Sequence, residues 1–170
     1  MFEPALLRRA EQLLEMARRR GLKLATAESC TGGLIAGLLT EIAGSSDVVE
    51  RGFVVYSNEA KISLLRVPAS LIELHGAVSE ACARAMAEGA LKHSNADIAV
   101  SVTGIAGPGG GSPEKPVGLV HFGCASKGGE TTHRRFVFAH SNRHEVRMKS
   151  VKAALDLIES QIELTTRRLA

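Results

Sequence analysis

The segment from Ala96 to Thr103 reads Ala-Asp-Ile-Ala-Val-Ser-Val-Thr, with β-branched and small residues on both alternating sets of positions. A strand of this kind has no polar face to turn toward water. It belongs at the centre of a sheet that is covered on both sides. Helices must supply the cover, which confines the chain to an α/β architecture.

The flanking sequence provides those helices. From Pro4 to Arg20, Leu6, Leu7, Ala10, Leu13, Leu14 and Ala17 recur at helical spacing, and Gly21 ends the run. Leu22 to Ala27 reads as a strand, Gly32 to Ala43 as a helix apolar nearly all round and therefore buried, and Gly44 to Asp47 as a turn. Arg51 to Ser57 predicts a second strand, after which Asn58 caps a helix through Lys61 to about Arg66. A short helix runs from Pro68 toward His75, and a longer one starts from Ser79 as N-cap. Beyond the central strand, Gly104 to Pro113 is too rich in glycine to be regular structure. Val117 to Ala125 and Thr131 to Ala139 form a hairpin around Ser126-Lys127-Gly128-Gly129, and Asn142 to about Thr165 is a long amphipathic helix. Alternation closed by a hairpin predicts a three-layer α/β/α sandwich with a mixed central sheet, a single domain over residues 1–170. The Leu/Ala stripe of the first helix lies outside the predicted sheet layers and needs a cover. That predicts a homo-oligomer, most simply a dimer.

Composition removes several classes of function. The formal charge is +3, aromatics make up 4% and Trp is absent, so neither a concentrated basic face nor stacking platforms for nucleic acid are expected. Cys30, Cys82 and Cys124 are widely spaced and form no CxxC pair, which argues against a disulfide framework and a thiolate metal site. No apolar run approaches the ~20 residues needed to span a bilayer. The opening Met-Phe-Glu-Pro leads into a charged helix, not a signal peptide. A soluble, cytoplasmic protein with no membrane or nucleic-acid partner is expected, with a mild preference for anionic small molecules.

Candidate chemistry gathers at predicted strand ends. Thr26-Ala-Glu-Ser-Cys-Thr-Gly-Gly33 joins the first strand to the next helix, and Ser29 sits where ligands of open α/β sheets usually lie. The amides of Gly32 and Gly33 at a helix start can hold a phosphate or a developing oxyanion; alternatively Ser29 or Thr31 simply caps that helix. Tyr56 at a strand end and Lys61 one turn into a helix can reach the same edge. Lys61 is either a desolvated base or an ordinary surface lysine. Five glycines between Gly104 and Gly111 allow close backbone approach to a ligand, with Thr103 offering a hydroxyl nearby, or else the segment is a plain surface loop. It is not a Walker A loop, since no Gly-Lys-Ser/Thr ends it. Arg143 and Arg147 share a face of the last helix, and Arg143 lies in its first turn, where a cation opposes the helix dipole unless an anion is met. A solvated face is the other reading. His140 and His144 lack a third ligand and are not assigned to a metal; Cys30 competes with Ser29 as nucleophile but reads more simply as packing.

Four motifs in order, Thr26 to Gly33, Gly52-Phe-Val-Val-Tyr-Ser-Asn-Glu-Ala-Lys61, His75-Gly-Ala-Val-Ser-Glu80 and Ser101-Val-Thr-Gly-Ile-Ala-Gly-Pro-Gly-Gly-Gly111, closely resemble the CinA C-terminal domain family, nearly end to end. The resemblance implies a nicotinamide-nucleotide amidase that converts nicotinamide mononucleotide and water to nicotinate mononucleotide and ammonia, recycling pyridine nucleotide. It implies Ser29 as nucleophile, Lys61 as its base and Tyr56 as the residue that orients the lysine or relays the proton. The implied substrate-contacting set is Glu28, Cys30, Thr31, Gly32, Gly33, Thr103, Gly104, Gly107, Arg143 and Arg147, with one of the arginines near the phosphate. No metal or organic cofactor is implied. Larger members carry an N-terminal domain associated with ADP-ribose pyrophosphatase activity, to which nothing in these residues corresponds. The other reading within the family is a catalytically silent nucleotide-binding or regulatory domain.

Overall fold

The computed structural model describes residues 2–169. Its elements are α1 (Pro4–Arg19), β1 (Leu24–Glu28), α2 (Leu34–Thr40), a 3₁₀ turn (Ser45–Asp47), β2 (Val49–Val54), α3 (Asn58–Leu65), α4 (Ala69–His75), α5 (Glu80–Lys92), β3 (Ile98–Gly104), β4 (Leu119–Ser126), β5 (Thr132–Val137) and α6 (Arg143–Leu169). The sheet order is β2-β1-β3-β4-β5. β1 pairs in parallel with β2 and β3, whereas β4 and β5 are antiparallel additions. The segment of apolar and small residues is central, as its composition requires, and Ile98 to Val102 is fully covered.

Alternation along the strands separates two cores. Leu24, Ile98, Val100, Val102, Val120, Phe122 and Cys124 face α1, α2 and α6. Ala25, Ala27 and Ala99 face α3, α4 and α5. The second face is built of small residues, so α5 lies almost against the sheet. Ser101 Oγ, on that face, donates to the Ala83 carbonyl at 2.5 Å and accepts the Gly123 N–H at 3.1 Å.

Several ends differ from the sequence expectation for physical reasons. Ser57, not Asn58, caps α3, its Oγ accepting the Ala60 N–H at 3.0 Å. Helix α2 is shorter than expected and buries only one face, through Ile35, Leu38 and Leu39. Ser79 caps α5 as expected, accepting the Cys82 N–H at 3.2 Å. α6 opens in a reciprocal cap, in which Asn142 Oδ1 takes the Glu145 N–H at 3.0 Å and Glu145 Oε2 takes the Asn142 N–H at 2.8 Å.

The α1 stripe has its cover within the chain. Leu6, Ala10, Leu13, Leu14 and Ala17 are buried in one core with Val151, Ala154, Leu155 and Ile158 of α6 and with Ile35 and Leu38 of α2. The ground for expecting a second copy over this stripe is therefore absent.

Helix α5 also meets the end of α3, because a Cβ added at Gly89 would stand 2.1 Å from the Leu65 carbonyl oxygen. Gly89→Ala is expected to destabilise the fold by at least about 1–3 kcal/mol through overpacking. Gly37, in α2, has nothing within 4 Å of its added Cβ. Gly37→Ala is expected to stabilise by roughly 0.5–1 kcal/mol. Thermal or urea unfolding of the two variants checks the opposite signs.

Candidate active site

β1 continues outward to β2 on one side, while its other neighbour is β3. Between the carboxyl ends of β1 and β3 a crevice must open, the usual ligand position in sheets of this type. Ser29 follows β1 directly, and its N–H donates to the Val102 carbonyl of β3 at 3.0 Å. Around this point lies a cleft of about 300 Å³ lined by Ser29, Cys30, Tyr56, Asn58, Lys61, Ala77, Val78, Thr103 to Gly107, Gly109, Gly110 and Arg143. Larger hollows of about 710 and 810 Å³ lie over α1 and over the β4–β5 turn. Neither holds a hydroxyl beside a buried base.

Lys61 is among the largest fully buried side chains, at 1% exposure. Its Nζ lies 3.0 Å from Ser29 Oγ, 2.9 Å from the Val55 carbonyl and 3.1 Å from the Tyr56 carbonyl. None of the ion pairs among the described residues involves it. Burial pushes its pKa below the usual lysine value of 10.5, while neighbouring Cys82, Cys30 and Glu59 push weakly the other way. A third carbonyl, that of Ser57, lies further off at 3.5 Å. In the neutral amine two N–H groups satisfy the two nearer carbonyls, and the lone pair is left for the Ser29 hydroxyl proton. That is a serine placed against a proton acceptor.

Other expected residues take different places. The Tyr56 phenol is solvent-facing and accepts from Arg143 Nη2 at 3.1 Å; only its carbonyl touches Lys61. Arg143 Nη1 donates to the Gly107 carbonyl at 2.8 Å, so this arginine lies on the cleft wall. Arg147 does not line the cleft. It donates to the Cys30 and Thr31 carbonyls at 3.2 and 3.1 Å. Cys30 lines the cleft, yet burial raises its pKa to about 12, which keeps it a thiol at neutral pH.

Glu28, Thr31, Gly32 and Gly33 lie outside the lining. The fully buried Glu28 carboxylate is the cap of α2, accepting N–H groups of Gly33 at 3.1 Å, Ile35 at 3.0 Å and Ala36 at 2.8 Å. It already satisfies the positive end of that helix. The Gly32 N–H goes to the Ser29 carbonyl at 3.0 Å. These glycine amides are therefore engaged, and Thr31, also buried, holds its hydroxyl away from any partner.

The glycine loop is anchored at several points. Ile105 N–H bonds the Leu119 carbonyl at 2.9 Å, and Lys115 Nζ bonds the His75 carbonyl at 2.7 Å. Gly107 has a φ of 81°, and a Cβ there would stand 2.5 Å from Val117, so no other residue fits without strain. The Gly107–Pro108 peptide is cis. Thr103 Oγ1 donates to the Ala77 carbonyl at 2.8 Å, which holds Ala77 and Val78 in the opposite wall. Asn58, Ala77, Val78 and Ile105 were not among the residues expected from sequence. Asn58 had been read as a cap, and the apolar pair Ala77-Val78 carries no chemical signature of its own. Among the described residues no cluster of three His, Cys, Asp or Glu side chains could hold a metal, and no helix is long and apolar enough to cross a membrane.

A three-layer α/β/α sandwich with a serine–lysine pair in a cleft at its strand ends defines the class of protein. Comparison with known proteins supplies the family. The CinA C-terminal domain model matches residues 7–162, and the chain belongs to that family. It is 48% identical over 161 residues to the nicotinamide-nucleotide amidohydrolase PncC of Escherichia coli K12, covering 95% of this chain and 97% of that protein. A CinA-like protein of Chlorobaculum tepidum is 51% identical over 149 residues, which make up 85% of this chain and only 35% of that protein. The chain thus spans about a third of the length of that relative and nearly all of PncC. The crystal structure of the competence/damage inducible protein CihA from Agrobacterium tumefaciens superposes with a TM-score of 0.92 at 48% identity, covering 94% of this chain and 97% of that one.

Glu28 offers a test of the site's scaffold that does not depend on chemistry. Glu28→Gln puts an amide NH₂ group among backbone N–H donors. It is expected to lower stability by about 1–3 kcal/mol, as for a buried group left unsatisfied. Urea denaturation of the variant measures it.

Proposed function

We propose that this chain is a nicotinamide-nucleotide amidase, converting nicotinamide mononucleotide and water to nicotinate mononucleotide and ammonia. The observation that carries the reading is Lys61 Nζ, buried without an acidic partner and 3.0 Å from Ser29 Oγ. The name of the PncC relative, which matches over nearly its whole length, supports the substrate. A silent nucleotide-binding domain has no use for an uncompensated buried lysine, which destabilises any fold that contains it.

Ser29 Oγ attacks the carboxamide carbon as its proton passes to Lys61. The resulting ammonium then protonates the amide nitrogen, the C–N bond breaks and ammonia leaves. Water adds to the Ser29 ester, giving a proton to Lys61, which returns it to Ser29 Oγ as the carboxylic acid departs and gives up its remaining proton to solvent. Among the described residues the cleft lining holds no carboxylate side chain, and Arg143 is its only basic side chain besides the Lys61 amine. Arg143 is therefore assigned to the phosphate, with Thr103 and the glycine loop holding the sugar.

Ammonia release from the nucleotide tests the reading directly, and its absence in the wild-type protein would refute it. Ser29→Ala is expected to abolish release. Lys61→Ala is expected to lower it by about 10²–10⁴-fold, as for a lost proton acceptor. The double variant should be little worse than either, since the pair acts as a unit. Cys30→Ala is expected to keep most activity; loss in that variant alone would move the nucleophile to the thiol.

The pH profile follows from the direction of the Lys61 shift. The base form exists above its folded-state pKa and is lost below it, and burial places that value under 10.5. Measured kcat/KM should therefore fall as pH drops through this value, and the fall should disappear from the residual rate of Lys61→Ala. Nicotinamide lacking the ribose phosphate is expected to be a poor substrate, because remote binding assists the chemical step. Equal kcat/KM on both compounds would remove the nucleotide assignment.

A further inference from the structure

We infer that Arg147 is a positioning residue for the oxyanion, acting through the main chain of the Ser29 turn and not on the substrate. The inference rests on the reading of Ser29 as nucleophile. Sequence spacing made Arg147 a candidate phosphate ligand beside Arg143, but the two arginines part company in space. Arg143 lies on the cleft wall, whereas Arg147, one turn further along α6, sends Nε to the Cys30 carbonyl at 3.2 Å and Nη2 to the Thr31 carbonyl at 3.1 Å. No ion pair among the described residues involves it. The rigid guanidinium fork thus directs two of its donors to two consecutive peptide oxygens.

The consequence lies on the other side of those peptides. In a trans peptide the carbonyl and the following N–H point in opposite directions. Holding the Cys30 carbonyl therefore aims the Thr31 N–H away from Arg147. The preceding peptide is fixed by a second bond, in which the Ser29 carbonyl accepts the Gly32 N–H at 3.0 Å, and this sets the Cys30 N–H. The Gly32 and Gly33 amides are engaged with Ser29 and Glu28, whereas among the described residues those of Cys30 and Thr31 have no backbone acceptor, the Cys30 N–H meeting only its own sulfur. Adjacent, oriented N–H groups next to an attacking hydroxyl are what a tetrahedral oxyanion requires. Drawing density from a carbonyl oxygen also strengthens the N–H of the same peptide as a donor. Arg147 supplies both the aim and the polarisation without touching the reacting atoms.

The test compares Arg147→Gln and Arg147→Lys with wild type on nicotinamide mononucleotide and on the phosphate-free riboside, with rates normalised to folded protein by thermal melting. The expected result is a fall in kcat of about 10–100-fold for Arg147→Gln, less than or equal to removal of a complete oxyanion donor. KM for the nucleotide should stay within about twofold of wild type, the fold-loss should be alike on both substrates, and Arg147→Lys should recover part of kcat. A rise in KM confined to the phosphate-bearing substrate would make Arg147 a phosphate ligand and overturn the inference. Unchanged kcat per folded molecule would overturn it equally. Phosphonylation of Ser29 by a fluorophosphonate reads the same donors without an amide substrate. Slower labelling in Arg147→Gln supports the inference even if wild-type protein releases no ammonia, so that failure would fall on the substrate assignment alone.

Discussion

The arrangement depends on one buried amine. Lys61 Nζ sits between main-chain carbonyls and a serine hydroxyl, almost wholly withdrawn from solvent, and the groups involved come from three parts of the fold. The carbonyls belong to the stretch that leaves β2, the lysine to α3, and the serine to the end of β1. An ammonium in such a place would be stabilised by its carbonyls but deprived of solvent, and desolvation dominates. The fold must therefore hold the chain tightly enough that the lysine cannot swing out. The Ser57 cap, the close approach of Gly89 to Leu65 and the backbone bond from Val55 N–H to the Glu28 carbonyl at 2.8 Å together do so.

The same logic explains the two residues that frame Ser29. Glu28 terminates α2 with its own carboxylate, which frees the turn from capping by Ser29 or Thr31. Arg147 holds the carbonyls on the far side. The proposed nucleophile lies in a turn of small residues that would otherwise sample many backbone conformations, and the proposed reaction needs one. Buried polar groups with complete partners rigidify such a turn more effectively than apolar packing does.

Much of this was legible in the sequence, and the failures are instructive. The segment almost free of polar residues placed β3 at the centre, and the helix–strand alternation gave the layers, because both signals are set by burial of whole elements. The motif residues Ser29, Lys61 and Thr103 were found because strand ends are where side chains converge in such sheets. Asn58 and Ser57 were exchanged as caps, since both side chains suit the role and only backbone geometry decides. Glu28 was read as facing substrate because its bonds to Gly33, Ile35 and Ala36 cross a turn that sequence spacing cannot draw. Arg143 and Arg147 share a helix face, but a rise of one turn carries the second past the cleft and onto the main chain. The α1 stripe found its cover in α6, the last helix of the chain, a long-range contact that local pattern leaves open.

The claim on which all of this turns is that Lys61 is a desolvated base. The most direct measurement is an NMR titration of lysine side chains labelled at Cε, with the Lys61 signal assigned by its loss in Lys61→Met. The expected result is a titration midpoint below the ordinary value of 10.5 that coincides with the acid limb of kcat/KM in the same buffer. A Lys61 signal that titrates at or above that value, or a rate profile indifferent to its midpoint, would contradict the assignment of Lys61 as the base for Ser29.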